Sequence, residues 1–291
     1  MQYKITHTTR YDYTEAVSIC HNQVRLTPRD TLYQSCDFHR LDVKPSAERD
    51  GRRNDYYGNR VDAFSIHKPH SSLTVTATSR VTVRAISEPT ADKTPAWETM
   101  KSTLHEQTTP SVLDACQFVF DSPLVARNAT LAEYARSCFP AGRPILDAAR
   151  ELTSRIHRDF IYDPKATTVH TPLRQVFQQR RGVCQDFAHV QIGCLRSLGL
   201  AARYVSGYLR TEPPPGQARL IGADASHAWV SVYCGESGWV DLDPTNDVYA
   251  NTDHVSLAWG RDYSDVCPIQ GVFVGGGSHS MIVSVDVLPL V

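Results

Sequence analysis

Of the eight cysteines in this 291-residue chain, one has neighbours that suggest chemistry. Cys184 lies in Arg180-Arg181-Gly182-Val183-Cys184-Gln185-Asp186-Phe187-Ala188-His189, where a Gly-Val-Cys turn opens into a run with helical spacing. Phe187, Val190, Cys194, Leu195 and Leu198 recur three to four apart, and Gly199 stands where a helix would close. Cys184 therefore falls at or just before the first turn of a helix. Unpaired backbone N–H groups and the positive end of the helix dipole there favour a thiolate over a thiol. A thiolate is a nucleophile, and it needs a base and a group to orient that base.

Two later residues have the matching chemistry. His227 begins an alternating run, Ser226-His227-Ala228-Trp229-Val230-Ser231-Val232-Tyr233, and Asp243 ends Gly238-Trp239-Val240-Asp241-Leu242-Asp243-Pro244. The turn at Gly235 makes the two runs a hairpin, so the start of the first lies beside the end of the second. Cys184, His227 and Asp243 would then supply a nucleophile, an acid/base and a carboxylate fixing the imidazole tautomer. Asp241 projects to the same face as Asp243, so spacing alone leaves both open. The Asp243-Pro244 turn favours Asp243 as the one nearer the strand end.

The elements that must position these residues divide the chain in two. Residues 1–86 carry alternating, β-branched segments such as Gln2–Thr8, Phe38–Val43, Val61–Ile66, Leu73–Thr78 and Arg80–Ala85. Short strands without a helical period imply an all-β, sandwich-like N-terminal domain. Arg49 to Asp55 reads as a solvated loop of mixed charge, and residues 87 to about 110, polar and proline-bearing, as a link. Residues 87–291 then comprise this link and an α+β core. Leu124 and Leu131–Ala135 suggest a short helix, and Pro144 opens a longer amphipathic one through Ile145, Ala149, Leu152, Ile156 and Phe160. A third helix starts at Pro172 and ends at Gly182. After the Cys184 helix, strands dominate: Ala202–Leu209, a polyproline-like loop at Glu212–Gly216, the hairpin, and a tail of two strands, Gln270–Val274 and Met281–Leu288.

The totals restrict the function classes. With 41% hydrophobic and 21% charged residues the composition is that of a soluble globular protein. A formal net charge of -1 offers no surface for nucleic acid or an anionic membrane. The N-terminus lacks an apolar signal core, and no stretch approaches the roughly 20 apolar residues of a membrane span. The cytoplasm is therefore the expected compartment, with the cysteines as reduced thiols. No C-x-x-C pair occurs, so neither a metal nor another cofactor is expected. A grouping of Cys184, His189, His227 and Cys234 lacks metal-ligand spacing. His189 is expected to pack inside the helix, Trp229 and Trp239 to belong to the core, and Arg180-Arg181 to be solvated.

Three blocks in this order resemble the signatures of the bacterial transglutaminase-like superfamily: Gly182-Val183-Cys184-Gln185-Asp186-Phe187-Ala188-His189, Ser226-His227-Ala228-Trp229, and Gly238-Trp239-Val240-Asp241-Leu242-Asp243-Pro244-Thr245-Asn246. Leu195 to Tyr208 and the aromatic Phe160-Ile161-Tyr162 resemble the segments around them, and residues 1–86 resemble the β-rich domain that precedes such cores. The resemblance implies a papain-like core with Cys184 as nucleophile, His227 as acid/base and Asp243 as its orienting partner. It implies attack on an amide or ester carbonyl of a peptide or protein, through a thioester. The Cys184 backbone N–H would hold the oxyanion, with Tyr162 or Gln185 as candidates for a second donor. Peptide or amide hydrolysis is the leading expectation. Glutamine–amine acyl transfer and an inactive peptide-binding module are the alternatives. The sequence leaves oligomeric state open.

Overall fold

The alternation at the start of the chain becomes one long strand, β1 (Gln2–Val24), in the computed structural model, which describes residues 1–87, 90–211 and 225–290. Its inward residues Tyr3, Ile5, His7 and Thr9 are buried while the residues between them face outward or are partly covered. Four further strands follow: β2 (Gln34–Lys44), β3 (Glu48–Asn54), β4 (Arg60–Ile66) and β5 (His70–Val83), in the order β2-β5-β1-β4-β3. All pair antiparallel. The segment Arg49–Asp55, expected as a loop, is mostly β3 instead. Its seven residues are all exposed, so no buried face marks it as a strand, and pairing with β4 decides its conformation.

Helices come next: α1 (Trp97–Glu106), α2 (Pro110–Cys116), α3 (Ala129–Arg136) and α4 (Ile145–Asp159). The stretch expected as a link thus holds a helix, whose Met100 and Leu104 are buried in the main core. The pair β6 (Ile161–Tyr162) and β7 (Arg181–Gly182) brackets α5 (Leu173–Gln179). Arg180, not Gly182, closes α5, adopting a left-handed φ of 53°. Its guanidinium lies 4.0 Å from the Phe177 ring, 4.5 Å from Tyr134 and 4.7 Å from Phe160, contacts that leave this arginine half-buried rather than solvated.

The central helix is α6 (Cys184–Ser197). It is buried almost all round from Asp186 to Arg196, as befits a helix enclosed by other elements. Gly199, at φ 85°, follows its end as expected. A five-stranded antiparallel sheet covers it, in the order β11-β10-β9-β8-β12. These strands are β8 (Ala202–Leu209), β9 (Ala225–Tyr233), β10 (Trp239–Asp243), β11 (Val248–Tyr249) and β12 (His254–Gly260). The short α7 (Tyr263–Val266) follows. The loop expected at Glu212–Gly216 lies outside the described residues.

The tail forms the two expected strands, β13 (Ile269–Gly275) and β14 (His279–Leu290), but they join the first sheet. Both run antiparallel along β1, β13 beside Val17–Val24 and β14 beside Gln2–Tyr13. Val285 and Val287 of β14 sit in one buried cluster with Tyr3, Ile5, the helices and the second sheet. The end of the chain therefore belongs to the N-terminal sheet rather than to the core that precedes it.

The two sheets also meet through hydrogen bonds along β12, an edge strand whose outer backbone groups need partners. The Gln34 side chain donates to the Ser256 carbonyl and accepts from its N–H, both at 2.8 Å. Asn59 does the same at Trp259, at 2.8 and 2.9 Å. A register shift between Ser256 and Ala258 accounts for residues three apart both turning their backbone groups outward.

Candidate active site

Cys184 is the first residue of α6, half-buried, and the chain before it is fixed on two sides. β7 lies parallel to β6 with Tyr162 beside Gly182, and Asp163 N–H donates to the Gly182 carbonyl at 2.9 Å. From within the helix, the Asp186 carboxylate accepts the Val183 N–H at 2.8 Å and the Thr167 hydroxyl at 2.6 Å. Burial pushes the Asp186 carboxyl up, against the lowering effect of those two bonds. Gly182 is needed here because a Cβ would stand 2.3 Å from Asp186 Oδ2. Asp186 N–H donates to the Val183 carbonyl at 2.9 Å, and ahead of it the N–H groups of Cys184 and Gln185, the first two of α6, have no carbonyl of a preceding helical turn to bond.

His227 lies near the start of β9, and Asp243 ends β10. The register pairs Leu242 with Val230, so Asp243 falls across from Trp229, one pleat from His227. Each aspartate reaches along the same diagonal. Asp243 Oδ2 meets His227 Nε2 at 2.7 Å, whereas Asp241 Oδ2 accepts the Trp229 indole N–H at 2.9 Å. That shared offset settles which aspartate meets the histidine.

Electrostatics connect the three groups. Burial alone would lower the His227 imidazole, but hydrogen bonds to Asp243 and Cys184, with the charges of both, push it up to about 10. With Nε2 engaged by Asp243, Nδ1 is the nitrogen left for the sulfur. The Asp243 side chain is completely buried, which would raise its carboxyl. Bonds from His227, His254 and Asn246 outweigh that and hold it well below the ordinary carboxylate range. Near neutral pH these directions describe an imidazolium held by a carboxylate, with the Cys184 sulfur on its other side.

Other expected residues fall around or outside this line. Tyr162 is half exposed, with its ring edge-on to Phe187. Burial and then the negative charge of Cys184 raise its phenol, so it lies within the electrostatic reach of the sulfur. Gln185 is half-buried beside Cys184. His189 accepts the Tyr263 backbone N–H at 3.2 Å, and burial lowers it to about 4, so it is a neutral packing residue. Trp229 is fully buried, and Trp239 stacks on the Arg203 guanidinium at 4.3 Å. Arg181 is exposed, with a 3.4 Å contact to Asp163.

Two residues of the site were not anticipated. Asn246 Nδ2 donates to Asp243 Oδ2 at 2.7 Å, and His254 Nε2 lies 3.2 Å from the same oxygen. The alternation of buried Val255 and Leu257 is the signal that would have revealed β12 and placed His254 at its head. Among the described residues, the group of ligand atoms close enough for a metal is His227, Asp243 and His254, within 4.8 Å of one another. All three are already joined by hydrogen bonds. Cys234, considered with the metal grouping, instead contacts the Val232 carbonyl at 3.6 Å.

Comparisons with known proteins bear on the family and the fold. Residues 3–82 match the bacterial transglutaminase-like N-terminal region, and residues 132–244 match the transglutaminase-like superfamily. An uncharacterized protein of Mycobacterium tuberculosis is 40% identical, covering 99% of this chain and 93% of its own length. A Mycobacterium leprae protein is 34% identical over 99% and 98%. A protein-glutamine gamma-glutamyltransferase of Pseudomonas aeruginosa is 31% identical over 38% of this chain and 19% of its own length. Among solved structures, a "putative cysteine protease" from Cytophaga hutchinsonii superposes with a TM-score of 0.74 at 22% identity, covering 100% of this chain and 91% of its own. That likeness establishes a shared fold.

Proposed function

The chain belongs to the transglutaminase-like superfamily, and from that premise we propose that it is a thiol-dependent amide or peptide hydrolase with a papain-like Cys184-His227-Asp243 triad. The observation that carries this reading is the hydrogen-bonded line from Asp243 through His227 to a cysteine at a helix start. In the proposed reaction the Cys184 thiolate attacks the carbonyl carbon of a peptide or protein amide. The Cys184 backbone N–H and the Tyr162 hydroxyl stabilise the oxyanion. His227 gives its Nδ1 proton to the leaving amine as the C–N bond breaks, which leaves a thioester. Water then attacks the thioester with neutral His227 as base, releasing the acid and restoring the imidazolium–thiolate pair.

Acyl transfer to an amine is the second reading, favoured by the Pseudomonas relative's name as a protein-glutamine gamma-glutamyltransferase. The two differ only in what resolves the thioester. A library of short peptides and isopeptides, assayed with and without a primary amine, tests the proposal. Hydrolysis lost in Cys184→Ala supports it. Amine incorporation far above hydrolysis would replace it with the second reading, and failure of Cys184 to react ahead of the other thiols would favour a peptide-binding module. The cytoplasm is the proposed compartment, consistent with eight free cysteines. Cell fractionation would test this.

A further inference from the structure

The Asp243 carboxylate receives more donors than a histidine–aspartate pair requires. Oδ1 accepts the backbone N–H groups of Thr245 at 2.9 Å and Asn246 at 3.3 Å. Oδ2 faces His227 Nε2 and Asn246 Nδ2, each at 2.7 Å, and His254 Nε2 at 3.2 Å. His254 comes from β12 at the far edge of the sheet, and its side chain is only 3% exposed. A buried imidazole that reaches a triad carboxylate from another strand calls for an explanation beyond space filling.

Its surroundings indicate the tautomer. The backbone N–H of Asn251 donates to His254 Nδ1 at 3.2 Å, which makes that nitrogen an acceptor and places the ring proton on Nε2, facing Asp243. Asn251 Oδ1 is also 3.2 Å from Nδ1 and accepts the Asp253 N–H at 2.9 Å. Charge balance favours the same state. One buried carboxylate already neutralises the His227 imidazolium, whose ring centroid is 6.1 Å from that of His254, so a neutral donor adds a bond without a second cation. The other neighbour is the Trp229 ring, edge-on at 5.2 Å.

We propose that His254 is a positioning residue for the reaction, acting through Asp243 to keep Oδ2 ionised and aimed at His227. The active line then has four members, Cys184, His227, Asp243 and His254. This inference rests on the reading of Cys184, His227 and Asp243 as the catalytic set. His254 touches neither the sulfur nor the substrate in this arrangement. Its contribution passes through the orientation of the carboxylate and reaches Cys184 by way of His227.

The test compares His254→Gln, which keeps an N–H donor near the Nε2 position, with His254→Leu, which keeps volume and removes the donor. The readout is the pH dependence of Cys184 alkylation, located by peptide mapping. Losing a hydrogen bond to a buried charge should move the acid limb in His254→Leu upward by about one pH unit, and slow alkylation about tenfold below it. His254→Gln should remain within about threefold of wild type. Turnover should change in kcat rather than KM. An unchanged limb in folded His254→Leu, or equal impairment in His254→Gln, overturns the proposal. Nitrogen-15 histidine NMR on the wild-type protein needs no variant to fold. A neutral Nε2–H tautomer supports the proposal, and an Nδ1–H tautomer overturns it. If wild-type Cys184 reacts no faster than the other thiols, the catalytic reading itself fails and this inference fails with it. If Cys184 is selectively reactive but indifferent to residue 254, only the inference fails.

Discussion

Replacing Asp243 by Asn is the sharpest perturbation because neither orientation of the amide suits the site. With its NH2 at the Oδ2 position, it would confront donors from His227, His254 and Asn246. With its NH2 at the Oδ1 position, it would confront the N–H groups of Thr245 and Asn246. The charge is lost in either case. His227 stands at about 10 against an ordinary 6.5, and that difference of roughly 3.5 units corresponds to about 5 kcal/mol. Asp243 and Cys184 share the raising effect, and the Asp243 bond is the larger contribution. Losing half of it weakens the imidazolium by about 2.5 kcal/mol, or roughly sixty-fold. Reversal of the imidazole tautomer would add to this, so turnover should fall by about 10³–10⁴. The sign also predicts a stability change. Because folding raises the His227 pKa, its contribution is complete below 6.5 and is lost as pH rises through about 10. Asp243→Asn should therefore flatten the fall in stability across that alkaline window, read by urea unfolding at a series of pH values. Cys184 alkylation at neutral pH supplies the kinetic assay, with Asp241→Asn as control because Asp241 serves Trp229. Wild-type alkylation in Asp243→Asn, or an equal loss in Asp241→Asn, would refute the reasoning.

Gly182→Ala should force the Asp186 latch apart, since the new Cβ meets Oδ2 at 2.3 Å and Asp186 Cβ and Cγ at 2.8 Å. We expect a loss of about 1–3 kcal/mol in thermal or urea unfolding, together with reduced Cys184 alkylation. Wild-type values for both would show that the turn is not held by this contact. Gln34→Ala strands the Ser256 N–H, while the Ser256 carbonyl keeps the Arg29 N–H at 3.1 Å, and Asn59→Ala strands both the N–H and the carbonyl of Trp259, at a cost of about 1–3 kcal/mol per unsatisfied group. Urea unfolding that shifts by less than about 0.5 kcal/mol in either variant would mean that water replaces the amide.

What the sequence disclosed was what local patterns encode. The period of Phe187, Val190, Cys194 and Leu195 announced α6, and two alternating runs around Gly235 announced the β9–β10 hairpin. The choice between Asp241 and Asp243 depended on register, and parity alone could not decide it. Trp97, Met100 and Leu104 do have helical spacing, but prolines and polar residues around them suggested a link. β3 gave no apolar alternation because all of it is exposed. His254 remained hidden for a different reason. Its meaning depends on a sheet that brings β12 and β10 to one carboxylate, and no local pattern records that meeting.

The same long-range pairing gives the N-terminal region a physical role beside the site. β12, which carries His254, has β8 on one side and, among the described residues, no strand on the other. Gln34 and Asn59, both buried, take the place of that missing strand. Nearer His254, the Tyr3 hydroxyl donates to Asp253 at 3.0 Å, and Arg210 bonds the same carboxylate oxygen at 2.7 Å. Tyr3 lies on β1, which β14 flanks from the other end of the chain. Residues of the N-terminal region thus bond along β12 and beside His254, on a sheet that the end of the chain helps to complete. Disturbing the first sheet should be felt at Cys184 through this route, although no residue of that sheet need touch the sulfur.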